Sequence, residues 1–570
     1  MKSKLLLCLS ILLTNVLLAQ NRYDVVIDEI MADPSPQIGL PANEWIELKN
    51  TSSSPVNLQG WRIGDVNGQS GPMPDFILEP GSFVIICTGS AVANMSAFGN
   101  TISVTSFPSL DNDGETLYLK SLNDQIIHAV DYSSSWYQNE LKKDGGWTLE
   151  MTDLQNPCTG SSNWRASNNT AGGTPGTINS INGINNDQSA PQLKNAYTTN
   201  NTTIILVFDE PLDSLSAATL PNYGIDGGIS FTSAEPLSPL FNQVQLQTNN
   251  PLSANTVYNI TVNNITDCKN NVVGSDNKAK TGLAIDAEAG DGIINEILFN
   301  PRSNANDFIE FYNKSNKIFD ASKLYIATRN SSGVISSITS LSTTPFYIFP
   351  GDYVVVTEDA ENLAHNYLVQ KPGAILTLNS LPSFPDAEGF VLLLNQQGNV
   401  VDEVNYSDDW HFKLIDNAEG VSLERIDPGS PSQNPGNWHS AASTAGYGTP
   451  GYKNSQFKNQ QGIAATIEVL PKVFSPDNDG FDDIATVQYK ITEPGYVANI
   501  TIFDAAGRPV RNLVRNGTLS TNGYWNWDGL DDKGLKLPVG AYILFTEIFN
   551  LQGKKERFKN VVVLARNLRS

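Results

Sequence analysis

The chain has 570 residues, with 36 Lys and Arg against 59 Asp and Glu, a formal net charge of −23. At ~100–200 residues per domain, that length calls for three to five domains. The acidity disfavours nucleic acid and anionic membrane as bulk partners, and suits solubility and divalent cations.

Residues 1–19 read as an export signal. Lys2 and Lys4 make a basic start, 5–18 an apolar stretch, and Ala19 a small residue for cleavage before Gln20. The stretch is short for a membrane span of about 20 residues. No later segment is long and apolar enough to span, so the expected location is the cell surface, the medium or the periplasm.

After the signal, one set of blocks occurs twice in the same order. Asp28-Glu29-Ile30 returns as Asn295-Glu296-Ile297, and Ile46-Glu47-Leu48 as Ile309-Glu310-Phe311. Pro80-Gly81 returns as Pro350-Gly351, Leu149-Glu150 as Leu423-Glu424, Asn163-Trp164 as Asn437-Trp438, and Thr174-Pro175-Gly176 as Thr449-Pro450-Gly451. A repeat of this length is a duplicated domain, not a short solenoid unit.

Helical periodicity is nearly absent. Short β-branched and aromatic runs recur between Gly, Pro, Asn, Asp and Ser: Phe83-Val84-Ile85-Ile86, Ile204-Ile205-Leu206-Val207-Phe208, Tyr353-Val354-Val355-Val356. This predicts an all-β protein of four tandem immunoglobulin-like β-sandwich domains, with short helices at 90–98, 214–220 and 360–367. The expected domains are 20–183, 186–284, 288–456 and 463–570. From Ile463 onward the chain carries 13 Lys and Arg and 12 Asp and Glu, a net of +1, so the last domain differs electrostatically from the rest.

The two repeat copies resemble the bacterial lamin tail domain. The carrying residues are Glu44-Trp45-Ile46-Glu47-Leu48-Lys49-Asn50, Asp111-Asn112-Asp113-Gly114-Glu115, Gly145-Gly146-Trp147-Thr148-Leu149-Glu150 and Gly172-Gly173-Thr174-Pro175-Gly176. In the second copy Phe308 replaces Trp45. The domain between the copies resembles a bacterial immunoglobulin-like domain of surface-layer type, through Val207-Phe208-Asp209-Glu210-Pro211-Leu212 and Val257-Tyr258-Asn259-Ile260-Thr261-Val262. The last resembles the immunoglobulin-like domain of the flagellar hook-capping family and the C-terminal modules of type IX secretion cargo. Its carriers are Val473-Phe474-Ser475-Pro476-Asp477-Asn478-Asp479-Gly480, Trp525-Asn526-Trp527-Asp528-Gly529 and a hairpin at Asp504-Ala505-Ala506-Gly507.

Three cysteines follow the signal. Cys87 and Cys158 fall in the first copy and become Thr357 and Ser432 in the second, which predicts a Cys87–Cys158 bridge and a lone Cys268 thiol. The other reading is two unrelated small core residues. His128, His365, His411 and His439 show no ligand spacing and read as scattered surface histidines. Glu29 with Glu47, and Glu296 with Glu310, could suggest a glycosidase pair. The better reading is carboxylates that accept backbone N–H groups and fix a loop. Asp477, Asp479, Asp482 and Asp483 surround Gly480 as alternating oxygen donors, which suits a structural Ca²⁺. A loop of Asx-turns fits the same residues. Asp111, Asp113 and Glu115 form a weaker acidic turn.

No residue set reads as catalytic. The expected function is an exported, non-catalytic surface or extracellular protein with an adhesive, structural or binding role, facing an extracellular protein or polysaccharide. The resemblance of the last domain implies secretion or outer-membrane machinery as a further partner. The alternatives are an accessory component of a secreted nuclease or phosphatase system, or part of cell-envelope or gliding machinery.

Overall fold

The computed structural model describes residues 20–413, 415, 417–457, 465–551 and 553–566. The export signal expected at 1–19 lies outside the described residues. The chain divides into two compact units, one running to 252 and including 258–281, the other made of 253–257 and 282 onward.

In the first unit a six-stranded sheet runs in the order Trp164–Ala166, Leu149–Met151, Val25–Met31, Trp45–Asn50, Phe83–Cys87, Thr101–Ser103. Its inner face packs on the sheet Arg62–Gly64, Gly114–Lys120, Ile126–Ser133 through Ile27, Ile46, Leu48, Trp61, Leu117 and Leu119. Its outer face is covered as well. Met31, Trp45, Ile85 and Cys87 lie under the short helix Val92–Met95. Val25–Met31 is therefore buried at every position, and the strand shows no polar alternation. The same unit holds a sandwich of Leu193–Asn200, Thr203–Phe208, Gln243–Thr248 and Phe231–Leu237 against Tyr223–Ile225, Tyr258–Val262 and Lys278–Thr281.

The second unit repeats the first arrangement. Its six strands are Ile375–Thr377, Tyr353–Thr357, Phe308–Asn313, Gly292–Leu298, Leu423–Arg425 and Trp438–Ser440. They pack on a four-stranded sheet, Ile335–Ser340, Leu324–Arg329, Glu388–Asn395, Val400–Ser407. The last sandwich sets Thr466–Leu470, Ala485–Lys490 and Asn522–Trp527 against a five-stranded sheet, around Phe474, Trp527 and Tyr542. The protein is thus all-β, built of tandem immunoglobulin-like β-sandwiches. Helices Val92–Met95, Ser214–Ala217 and Ala360–Asn366 fall inside the segments expected for them. The one-turn helix Glu140–Lys143 was not expected; the Asn139 side chain starts it by accepting the Leu141 and Lys142 N–H groups. Among the described residues no helix is long and apolar enough to cross a membrane.

Candidate functional site

The chemistry-bearing residues that the duplication repeats converge on one place in each copy. In the first copy Glu29 pairs directly with Glu47 on one neighbouring strand and with Glu150 on the other. In the second, Glu296 pairs with Glu310 and Glu424. All six are 0% exposed. Like charges directly opposite each other are destabilising unless something compensates. The compensation is the closing loop, which lays its N–H and hydroxyl groups over the carboxylates. The Thr174 N–H donates to Glu29 Oε1 at 2.7 Å, the Gly176 N–H to Glu47 Oε2, and the Ile181 N–H to Glu150 Oε2 at 3.1 Å. The second copy keeps the set: Thr449 N–H to Glu296 at 2.8 Å, Gly451 N–H to Glu310 at 2.7 Å, Gln456 N–H to Glu424 at 2.8 Å. Glu29 and Glu47, and Glu296 and Glu310, therefore fix a loop, the preferred reading of the sequence. Glu150 and Glu424 complete each cluster; their recurrence in the repeat was the one available signal.

The hydroxyl geometry suits a bound proton in the cluster. Thr449 Oγ1 lies 2.9 Å from both Glu296 Oε2 and Glu424 Oε1. One hydroxyl hydrogen shared between two carboxylates makes two weakened bonds, whereas a proton on one carboxyl, donated to Oγ1, completes both. The electrostatics agree. Burial, reinforced by the neighbouring glutamates, pushes Glu29 and Glu296 up to about 8 and Glu47 up to about 10, and holds Glu310 well above its usual range.

The copies differ at one position. Asn295 Nδ2 donates to Glu310 Oε1 at 2.7 Å. Its counterpart is Asp28, a buried carboxyl pushed up to about 7 by burial. Glu47 Oε1, the counterpart of that acceptor, is buried without a hydrogen-bond partner.

Two expectations are corrected. The bridge is Cys158–Cys268, with Cα atoms 6.1 Å apart, not Cys87–Cys158. Cys87 ends its strand, fully buried among Met31, Trp45 and Met95, where burial pushes its thiol up to about 11 and it is bridged to no other cysteine of the described residues. Cys158 lies on a loop that faces Cys268 of the intervening sandwich. The histidines are not all on the surface. His365 is exposed, but His128 is 0% and His411 7% exposed, and His439 is half-buried. His128 Nδ1 accepts the Ile27 N–H at 2.9 Å, at the β-bulge beside Asp28. Asp402 Oδ2 does the same for Ile294 at 2.8 Å. The two copies fill one acceptor position with different residues.

Of the acidic loop, Asp477, Asp479 and Asp483 bring carboxylate oxygens within 4.8 Å of one another; Asp482 is not in the group. Two of the three also serve the turn. Asp483 accepts the Asn478 and Gly480 N–H groups, and Asp479 accepts that of Phe481. Asp111, Asp113 and Glu115 form a hydrogen-bonded turn, with Glu115 Oε1 accepting the Asp111 N–H at 3.1 Å. A group with no linear motif also appears: Asp187, Glu210 and Asp267, again within 4.8 Å. Burial and the surrounding aspartates push Glu210 up to about 8.

No curated protein sequence matches this chain. The bacterial S-layer protein SbsC (residues 31–844) is 10% identical, over 66% of this chain and 54% of that one, with a TM-score of 0.16. The N-terminal part of SbsC is 12% identical over 29% of this chain, which spans only 40% of its length, with a TM-score of 0.16. A Ca²⁺-stabilised, ice-binding adhesin of an Antarctic bacterium is 8% identical over 96% and 100% of the two chains, with a TM-score of 0.12. Likeness at that level says nothing of function. Residues 19–134 and 286–408 match the model of the Lamin Tail Domain family, and each match includes the first two glutamates of its cluster. One matched segment falls on each copy of the repeat, as the resemblance of both copies to that family implied.

Proposed function

We propose that this is an exported, non-catalytic surface or extracellular protein whose tandem sandwiches have an adhesive, spacing or binding role. The observation that carries the reading is the fate of the duplicated glutamates. Paired carboxyls suited to acid–base chemistry are sealed at 0% exposure and bound to their own chain's backbone, out of reach of a substrate. The Cys158–Cys268 bridge supports an oxidising compartment. The C-terminal sandwich is read as the element that engages secretion or outer-membrane machinery. In cells of the source organism, external protease is expected to degrade the tagged full chain, whereas a chain ending before Ile463 stays protected in the periplasm. Recovery of the full chain in the cytoplasm would overturn the reading.

A structural Ca²⁺ at Asp477, Asp479 and Asp483 is part of the proposal. Three carboxylates supply hard oxygen donors, and water or carbonyl oxygens would complete the ~6–8 that Ca²⁺ takes. At about 100 times its dissociation constant the ion should stabilise the last sandwich by about 2.7 kcal/mol. Calorimetry of the mature chain with Ca²⁺ and with chelator should show that gain, and Asp479→Ala should abolish it. Superimposed traces would leave the segment a hydrogen-bonded turn.

A further inference from the structure

The second unit contains an open cleft of about 710 Å³. One wall is the strand pair Ala485–Lys490 and Asn522–Trp527, where Gln488 lies opposite Tyr524 and Lys490 opposite Asn522. All four side chains are exposed, on the sheet face away from buried Val487, Tyr489 and Trp527. Tyr524 is 61% exposed, a rigid aromatic surface left open to solvent. The facing wall is the loop that closes the second copy of the repeat, with half-buried Tyr452, exposed Lys453 and buried Asn454.

The walls are fixed relative to each other. The Tyr489 hydroxyl sits 2.7 Å from Thr444 Oγ1 and 3.0 Å from Ser520 Oγ, tying the two sandwiches together. The Ser443 N–H donates to Thr518 Oγ1 at 2.9 Å, and Gln456 Nε2 to the Leu519 carbonyl at 3.2 Å. The loop wall is itself held down by Glu310 and Glu424 through Gly451, Ser455 and Gln456. The cleft is preformed, as small-ligand and chain-binding sites usually are.

Its chemistry is specific. Tyrosines offer broad ring surface at low conformational cost, and side-chain amides and hydroxyls both donate and accept. That combination matches a pyranose, with one apolar face and a rim of hydroxyls. Among the described residues, the charged ones lining the cleft are Lys453 and Lys490. In a chain of net charge −23, a cleft with two ammonium groups and no carboxylate selects for an anion. The other large cleft, about 450 Å³ in the first unit, is lined by Asp131, Asp187, Asp209 and Glu210 and would repel the same ligand. Among the described residues the cleft has no carboxylate pair of the kind that hydrolyses a glycosidic bond, and binding is the role argued for it.

We propose that this cleft binds an acidic oligosaccharide, a chain of sugar rings bearing uronate carboxylates, with Tyr524 as the stacking surface and Lys490 as the carboxylate partner. The inference rests on the reading of the chain as an exposed surface protein and names what it would hold there.

The test is calorimetric titration of the mature chain from Gln20 with tetragalacturonate, maltotetraose and tetraglutamate. Tetragalacturonate should bind, more weakly as salt rises, and maltotetraose about tenfold more weakly. Tyr524→Ala should weaken tetragalacturonate about tenfold, while Tyr524→Trp retains it. Lys490→Gln should remove the preference for the uronate and leave maltotetraose unchanged. Both side chains are exposed, so the fold tolerates these changes. Absence of saccharide binding, binding indifferent to Tyr524→Ala, or equal affinity for tetraglutamate would overturn the proposal. Protease accessibility on intact cells separates the two readings. A surface protein that ignores tetragalacturonate loses only the cleft, and a cytoplasmic protein that binds it loses only the surface assignment.

Discussion

Unfolding of the mature chain is expected to become easier as the pH rises from about 5 to about 9, and Asp28→Asn should flatten that slope in the first unit. The sign follows from the raised carboxyls. Folded Glu29 and Glu47 hold their protons to about 8 and about 10, and Asp28 to about 7, whereas the unfolded chain releases them in the ordinary carboxylate range. Across that window the folded state binds more protons. Stability is therefore full below the unfolded values and is lost as the pH climbs through the folded ones. The loss is on the order of a few kcal/mol for each cluster. Half-buried carboxylates held below their usual range by hydrogen bonds, such as Asp286 and Glu547, act in the opposite sense and only at lower pH.

The second copy shows what the substitution achieves. Asn295 supplies Glu310 Oε1 with a permanent N–H donor, whereas Asp28 can donate only while protonated and leaves Glu47 Oε1 without a partner. Asp28→Asn should gain about 1–3 kcal/mol at about pH 8, the usual cost of an unsatisfied buried acceptor. It should gain much less at about pH 5, where Asp28 is already neutral. Asn295→Asp should do the reverse in the second unit. Amide exchange across Val25–Met31 and Gly292–Leu298 reads the two copies separately, which suits a chain of several cooperative units. An unchanged slope in Asp28→Asn would mean that Asp28 itself holds no titrating proton in that window.

Loss of the Cys158–Cys268 bridge is expected to cost the first unit about 2–5 kcal/mol, because it closes a long loop in the unfolded chain. The two cysteines are 110 residues apart in sequence. Cys158→Ser and Cys268→Ser should behave alike, since either removes the same crosslink. Noncovalent ties remain: Arg22 Nη1 donates to the Leu212 carbonyl at 2.8 Å, and Lys269 Nζ to that of Gln155 at 3.0 Å. The variants should therefore stay folded and melt earlier. Peptide mapping without reduction should recover Cys158 with Cys268, and alkylation after unfolding should label Cys87 alone. Recovery of Cys87 joined to Cys158 would overturn the pairing.

What the sequence determined by itself was local and repetitive. Runs such as Tyr353-Val354-Val355-Val356 can bury both faces only as central strands, and Asp504-Ala505-Ala506-Gly507 can hardly be other than a hairpin turn, because these preferences reside in the residues themselves. The duplication likewise marked out both copies of the repeat and placed glutamates where they would fix a loop. Only the tertiary structure decided which distant residues meet. Cys158 and its absence from the second copy suggested a partner within the repeat, but that partner is in the next sandwich. Ser432, in the equivalent position, instead donates to Asp402. His128 looked like a surface residue because nothing in its neighbours reveals that a bulge in the facing sheet needs an acceptor. Asp187, Glu210 and Asp267 come from three separate stretches, and the lysine-lined cleft from two sandwiches. Strand propensity and turn chemistry act over a few residues. Disulfide pairing, buried hydrogen-bond partners and cleft walls depend on how sheets pack, which no short segment encodes.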